Sequence, residues 1–412
     1  MYNTVFFIII SILVFDFLFG LLMNYLNSTM RSTKLPVELE GIYDAEKYAK
    51  QQEYEKVNSK FSLLSSSVSF VLILLMFVLG GFAFVDEIAH GITENSILIA
   101  LIFFGILMLA SDLIGTPFDI YDTFVIEEKF GFNKTTPKTY FFDKIKGWLL
   151  GAIIGGGLMA LIIWLYDMTK DMFWIYAWLA VSVFSIFMAM FYSNLIVPLF
   201  NKQTPLPEGE LRTAIENFSL KAGFNLQNIF QIDGSKRSTK ANAYFTGLGS
   251  KKRIVLYDTL IKDMTINEIV AVLAHEIGHY KHKHSLQGIF ISLIQTGIVL
   301  FIFSLFVDNQ YLSQAMGVQQ PSFHIGMIAF GILFSPISTI TSLFMNILSR
   351  KNEYQADKFA AENFDSKELA SALKKLSVTN LSNLTPHPFN VFVSYSHPPL
   401  LARLKALKSY EL

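Results

Sequence analysis

The chain has 412 residues, of which 52% are hydrophobic, 39 are Phe and only 16% are charged, with a mean hydropathy of +0.43; roughly a quarter charged is usual for soluble proteins, so this is the composition of a membrane protein. Lys+Arg 33 against Asp+Glu 33 removes the basic footprint of a nucleic-acid binder. The absence of Cys excludes disulfides, thiolate metal sites and a Cys nucleophile, so any metal must be held by His, Asp or Glu.

A membrane span needs ~20 mostly apolar residues to cross ~30 Å of hydrocarbon. Seven stretches qualify, at 5–25, 61–85, 96–114, 148–166, 172–196, 286–307 and 323–348. The first is longer than a signal-peptide core and has no basic residue before Arg31, so it reads as a retained anchor. Counting Lys+Arg in the connections gives 0, 6, 0, 5, 1, 12, 0 and 9 from the N-terminus onward. By the positive-inside rule the N-terminus faces away from the cytoplasm, while the connections 27–60, 115–147 and 197–285 and the tail from 349 face it. Asp86, Glu87, Glu94 and Asp308 then lie in short acidic loops on the far side. Asp16 and Asp112 sit inside spans; such carboxylates face a wet interior or are neutralised by protonation or a neighbouring helix, and neither is assigned a catalytic role.

These boundaries divide the chain into spans one to five (1–196), a soluble α/β segment (197–285), spans six and seven (286–348) and a C-terminal segment (349–412). In the soluble segment, Pro205, Pro207 and Gly209 mark a loop, and 208–222 has helical spacing with Leu211, Ile215 and Phe218 on one face. Short apolar runs at 228–232, 242–246 and 253–257 predict a small sheet, with Gly247, Gly249 and Ser250 as a hairpin turn.

From Thr265 the chain reads TINEIVAVLAHEIGHYKHKH. Thr265 and Glu268 form a capping box, and Ile269, Val270, Leu273 and Ile277 carry the helical period. His275 and His279, four apart, project from one face and can share one zinc ion, with Glu276 placed to reach water rather than metal. Zinc lowers the pKa of water to ~7, so Glu276 can take the proton during attack on a peptide carbonyl and pass it to the leaving amine, without a covalent enzyme intermediate. His282 and His284 turn partly away from this pair and read as solvated or interfacial. A catalytic zinc usually has three protein ligands and one open position. The best third ligand lies in SRKNEYQADKFAAENF, where Glu353 can complete the set and Asp357 can hydrogen-bond a ligand imidazole; the alternative is an amphipathic helix with two solvated acids.

At this point the chain resembles the type I CAAX prenyl proteases, integral-membrane zinc metalloendopeptidases. The resemblance is carried by FVIEEKFGFNKTT at 124–136, PLFNKQTPLPEGEL at 198–211, KRSTKANAYFTGLG at 236–249, HEIGH at 275–279 with EYQAD at 353–357, and YSHPPLLARLKAL at 395–407. It implies that His275, His279 and Glu353 bind one zinc while Glu276 activates water. It further implies that Asn242, on an edge strand, pairs with the substrate backbone, and that His397 and Arg403 contact substrate or stabilise the oxyanion. Without the resemblance Arg403 reads as a solvated surface residue. The family's fold is a ring of seven helices around a large internal chamber, capped by the zinc domain.

The expectation is a mostly α-helical, multi-pass membrane protein whose cytoplasmic metalloprotease domain contains a small β-sheet. Its substrate would be the C-terminal peptide of a prenylated or other membrane-associated protein, cleaved at the lipid bilayer in the endoplasmic reticulum or a bacterial plasma membrane. Two other functions fit parts of the sequence: quality-control proteolysis of membrane proteins without prenyl specificity, and transport with a structural zinc. A structural site normally has four closed protein ligands, which argues against transport.

Overall fold

The computed structural model describes residues 2–32, 34–35, 37, 40–224, 228–246 and 253–410. Helices α1 (Thr4–Thr29), α2 (Ala45–Val78), α3 (Gly81–Ile92) and α4 (Ser96–Tyr121) follow in order, and a π-helical turn at Asp122–Glu127 continues α4. Helix α5 (Pro137–Leu150) runs through a second π-helical turn, Gly151–Gly155, into α6 (Gly156–Thr169), followed by α7 (Phe173–Leu195) and the one-turn α8 (Val197–Phe200).

Among the described residues, six helical segments are long and apolar enough to cross a membrane: Thr4–Thr29, Ala45–Val78, Ser96–Glu127, Pro137–Phe200, His284–Phe306 and Phe323–Asn363. The 64-residue segment Pro137–Phe200 holds two of the seven apolar stretches, 148–166 and 172–196. It is broken between α6 and α7, where Lys170 takes φ 47° and ψ −118°, and Tyr166 meets Phe173 edge-on at 5.3 Å across the break.

The stretch expected at 61–85 stops early. Helix α2 ends at Val78, because Gly80 at φ 70° enters the left-handed region that glycine reaches without a Cβ penalty. Helix α3 then turns Phe82, Val85, Asp86 and Ala89 inward. Asp86 is therefore not a solvated loop acid: it is buried and 2.6 Å from His324 Nε2. The two intramembrane acids also have partners. Ser335 Oγ donates to Asp16 at 2.9 Å, while Trp148 Nε1 and Lys144 Nζ both lie 3.0 Å from Asp112.

The soluble segment comprises β1 (Gln203–Pro205), α9 (Glu210–Lys221), β2 (Ile229–Ile232), β3 (Ala243–Thr246), β4 (Arg253–Tyr257), α10 (Asp258–Asp263) and α11 (Ile266–Lys281). The sheet order is β1-β2-β4-β3, with β2 and β4 parallel and the other two pairings antiparallel, so β3 is an edge. The three predicted runs are strands, and β1 adds a fourth. The hairpin turn assigned to Gly247, Gly249 and Ser250 lies outside the described residues. One face of the sheet buries Ile229, Ile254 and Leu256 against Ile215 and Phe218 of α9 and Ile269, Leu273 and Ile277 of α11.

The chain closes with α12 (His284–Phe306), α13 (Gln310–Ala315), α14 (Phe323–Asn363), α15 (Ser366–Thr379), α16 (Pro388–Ser394) and α17 (Leu400–Ser409). Helix α14 has 41 residues, about 60 Å at 1.5 Å per residue. It passes the boundary expected at 348–349 without a break, so one rigid rod joins an apolar span to the segment bearing Glu353 and Asp357.

Candidate metal centre

Helix α11 starts where the sequence places it. Thr265 N–H donates to Glu268 Oε2 at 2.8 Å and Glu268 N–H to Thr265 Oγ at 3.2 Å. Glu268 also accepts from Ser371 Oγ at 2.6 Å and Lys375 Nζ at 2.7 Å, which ties the cap to α15. The helix is buried almost all round from Ile269 to Gly278, so the imidazoles of His275 and His279 are held on a fixed scaffold.

Helix α14 crosses α11 at Gly278. A Cβ there would stand 3.0 Å from Ala356 Cα and 3.1 Å from Ala356 O, tighter than ordinary packing, so glycine lets the two helices come this close without displacement. The approach brings Glu353 Oε1 to 3.2 Å from His279 Nε2 and Oε2 to 3.5 Å from His275 Nε2, while the two Nε2 atoms are 3.1 Å apart. Glu353 and Asp357 are 4% and 0% exposed, which overturns the alternative of two solvated acids on an amphipathic helix.

These residues fit a divalent metal. His275 Nδ1–H donates to Asp357 at 2.8 Å, leaving the Nε2 lone pair of His275 aimed at His279 Nε2 and Glu353. Glu353 Oε2 is buried and accepts no hydrogen bond. Electron-pair donors converging in a dry site repel one another unless a cation lies between them, and His, His and Glu is a donor set that zinc favours. The field favours positive charge there. Burial opposes charging of His275, but the carboxylates of Asp357 and Glu353 beside it hold its pKa up at about 9. Burial raises the pKa of Glu353, yet the imidazoles of His275 and His279 and the Arg403 guanidinium beside it carry it well below the usual carboxylate range.

Arg403 of α17 is 9% exposed, not a solvated surface residue. Its Nε and Nη2 donate to the two oxygens of Asp357 at 2.8 and 2.6 Å, and Nη1 lies 3.4 Å from Glu353 Oε2. Packing of α17 against α14 and α15 explains the difference, since a buried guanidinium is retained where a carboxylate pairs with it in both positions. Burial likewise raises the pKa of Asp357, and hydrogen bonds from His275 and Arg403 lower it overall.

His284 also departs from expectation. It is 8% exposed and its Nδ1 lies 3.0 Å from His279 Nδ1, whereas His282 is exposed as expected. Spacing concealed this contact, because it assumed a helix continuing past Lys281. His397 is the outlying member of the site: its side chain is 65% exposed, and its Nε2 is 3.3 Å from Glu353 Oε1.

A cleft of ≈ 360 Å³ opens on this cluster, lined by Asn242, Glu276, His279, Glu353, His397 and Arg403 among others. Asn242 immediately precedes edge strand β3. Its carbonyl accepts from Tyr257 N–H at 3.1 Å and its side-chain oxygen from Ala243 N–H at 2.9 Å. The approach to Asn242 is clamped by residues that sequence reading left without a role. Asn380 Oδ1 accepts from Ala241 N–H at 3.1 Å and Nδ2 donates to Ala241 O at 3.2 Å. Lys240 Nζ donates to Glu127 at 2.8 Å and to Tyr54 at 3.0 Å, and stands 4.5 Å from the Phe132 ring centroid. Backbone bonds from Lys134 N–H to Arg237 O and from Thr239 N–H to Phe132 O, both at 3.0 Å, join two of the stretches that carried the resemblance.

Comparison with known proteins identifies the family. Residues 24–202 match the family model of the CAAX prenyl protease N-terminal region, described as five membrane helices, and residues 205–411 match peptidase family M48. The CAAX prenyl protease 1 homolog of Mus musculus is 34% identical over 92% of this chain and 89% of its own length. CAAX prenyl protease 1 of Saccharomyces cerevisiae has the same identity and coverage. The crystal structure of S. mikatae Ste24p superposes with a TM-score of 0.94 at 34% identity, covering 99% of this chain and 100% of that one. The chain thus belongs to peptidase family M48, within the CAAX prenyl protease family of membrane metalloproteases.

Proposed function

We propose that this chain is a zinc endopeptidase that removes the C-terminal tripeptide from prenylated CAAX proteins or cuts membrane-associated peptides of similar shape. The observation that carries the reading is the convergence of His275, His279 and Glu353 ligand atoms within 4.8 Å of one another, with Glu276 on the same cleft. Those three residues would hold the zinc, which when bound would supply Lewis acidity toward the scissile carbonyl and the attacking water. Glu276 takes a proton from the attacking water; the water oxygen bonds to the carbonyl carbon, the C–N bond breaks, and Glu276 returns the proton to the leaving amine. Asp357 fixes the His275 ring, and Arg403 neutralises Asp357 so that the buried charge is balanced. The edge of β3 at Asn242 receives the substrate backbone by strand addition, and His397 is placed to meet the cleaved carbonyl at the open side of the cleft.

Seven spans around a water-accessible chamber are part of the same proposal. Supporting it, no more than 17% of the apolar window of any of the six segments is buried within the protein, far less than a close-packed bundle would bury. The distribution of Lys and Arg supports a cytoplasmic zinc site.

The test is cleavage of a farnesylated CAAX peptide by the purified chain, with and without chelator, beside its unprenylated twin. Chelator-sensitive release of the tripeptide is expected, with the twin slower by at least about tenfold, since burying two methylenes already contributes ~1.6 kcal/mol. Equal rates would replace prenyl specificity with the quality-control reading. No chelator-sensitive product from either peptide would remove the endopeptidase assignment.

A further inference from the structure

Helix α11 ends at Lys281, and His282 and Lys283 turn the chain before α12 begins at His284. Lys283 takes φ 59° and ψ 28° without being glycine, a left-handed conformation that L-residues rarely adopt. On an unbroken helix the fifth residue after His279 would point about 140° away from it, at 100° per residue. The strained turn instead carries His284 back against the His279 ring, with the two Nδ1 atoms 3.0 Å apart. The far nitrogen of His284, Nε2, is 2.9 Å from Gln355 Oε1 on α14, two residues beyond Glu353.

With the amide oxygen of Gln355 facing His284, the donor pattern along this row of groups runs in one direction. An amide oxygen only accepts, so the proton of neutral His284 is on Nε2 and its Nδ1 carries a lone pair. That lone pair is matched only if His279 carries its proton on Nδ1. His279 Nε2 is then bare, and it is the atom that faces His275 Nε2 at 3.1 Å and Glu353 Oε1 at 3.2 Å.

We infer that Gln355 and His284 form a directional hydrogen-bond chain that fixes the tautomer and rotation of His279, presenting its Nε2 lone pair to the metal. His284 is a positioning residue that touches neither metal nor substrate. Asp357 does the corresponding work for His275 with a charged acceptor whose charge Arg403 balances. Among the described residues no Lys or Arg hydrogen-bonds to His284 or Gln355, and a neutral relay orients the ring without adding a second negative charge beside Glu353.

The inference rests on the metal reading, and zinc affinity of the detergent-solubilised full chain tests it, by competition against a chelator of known strength with thermal melting to report folding. His284→Leu fills the volume of the ring but has no acceptor. His284→Asn fills less of it but places Oδ1 where Nδ1 stands. Loss of an outer hydrogen bond to a ligand typically weakens metal binding roughly 10–100-fold. His284→Leu is expected to fall in that range, His284→Asn to stay near the parent, and Gln355→Leu to lie between them. A packing role alone reverses the order of the two His284 variants. His284→Leu binding zinc as tightly as the parent, or more tightly than His284→Asn, would overturn the inference. If His284→Leu fails to fold, Gln355→Leu with undiminished zinc affinity overturns it equally. A parent that holds no zinc defeats the metal reading itself, a result separate from a parent that binds zinc and variants that match it.

Discussion

Glu276→Gln should retain about one zinc per chain and lose roughly 10²–10⁴ in kcat, the range usually contributed by general acid–base catalysis. Glu276 lines the cleft beside His275 and His279 but is not among the residues whose ligand atoms converge. The amide is nearly isosteric with the carboxylate and should leave the packing of α11 intact, yet it cannot accept a proton at neutral pH. Zinc content by metal analysis, peptide turnover and melting temperature of the same preparation check the three parts of the expectation. Full turnover in the variant would end the proposed mechanism, and loss of zinc would make Glu276 a ligand instead of a base.

The second large effect is expected far from any reacting atom. Gly278→Val places a branched side chain where the first added carbon already stands 3.0 Å from Ala356 Cα, 3.1 Å from Ala356 O and 3.1 Å from Phe359 Cβ. Two of these neighbours are backbone, so relief comes only by moving α14 away from α11. Glu353 lies less than one turn from Ala356 and must follow, away from both imidazoles. Overpacking of this kind costs about 1–3 kcal/mol in stability. Its larger consequence is separation of the ligands, so zinc affinity should fall more steeply than folding stability. Comparing the melting temperature of the variant with and without zinc checks this: the parent should gain stability from the metal and the variant should gain little. A variant that binds zinc as tightly as the parent would show that the close approach of α11 and α14 does not set the site.

The two predictions separate two levels of information in this chain. His275, Glu276 and His279 were legible from spacing because a helix converts sequence separation into direction, and Thr265 with Glu268 announced where that helix starts. The pairing of Glu353 with Asp357 on one helical face was legible for the same reason. The likeness to known proteases rested on those patterns with four further stretches, and the family comparisons agree with it. The membrane character was read from composition alone, since apolar length is a local property of the chain.

What spacing does not encode is the distance between segments remote in sequence, or a turn that departs from the helical period. Helix α14 comes this close to His275 and His279 where Gly278 leaves room that a Cβ would crowd. Without the family resemblance Arg403 reads as a surface cation until α17 packs it onto Asp357, and His284 reads as solvated or interfacial until the left-handed Lys283 folds it back onto His279. Asp86 looked like a loop acid until Gly80 ended α2 early and turned it towards His324. Thus the amino-acid order by itself determined a membrane-bound chain and a helix whose His275 and His279 form one half of a candidate metal centre. Only the tertiary structure decided which distant groups complete and orient that centre, because their burial depends on contacts between segments that no local periodicity records.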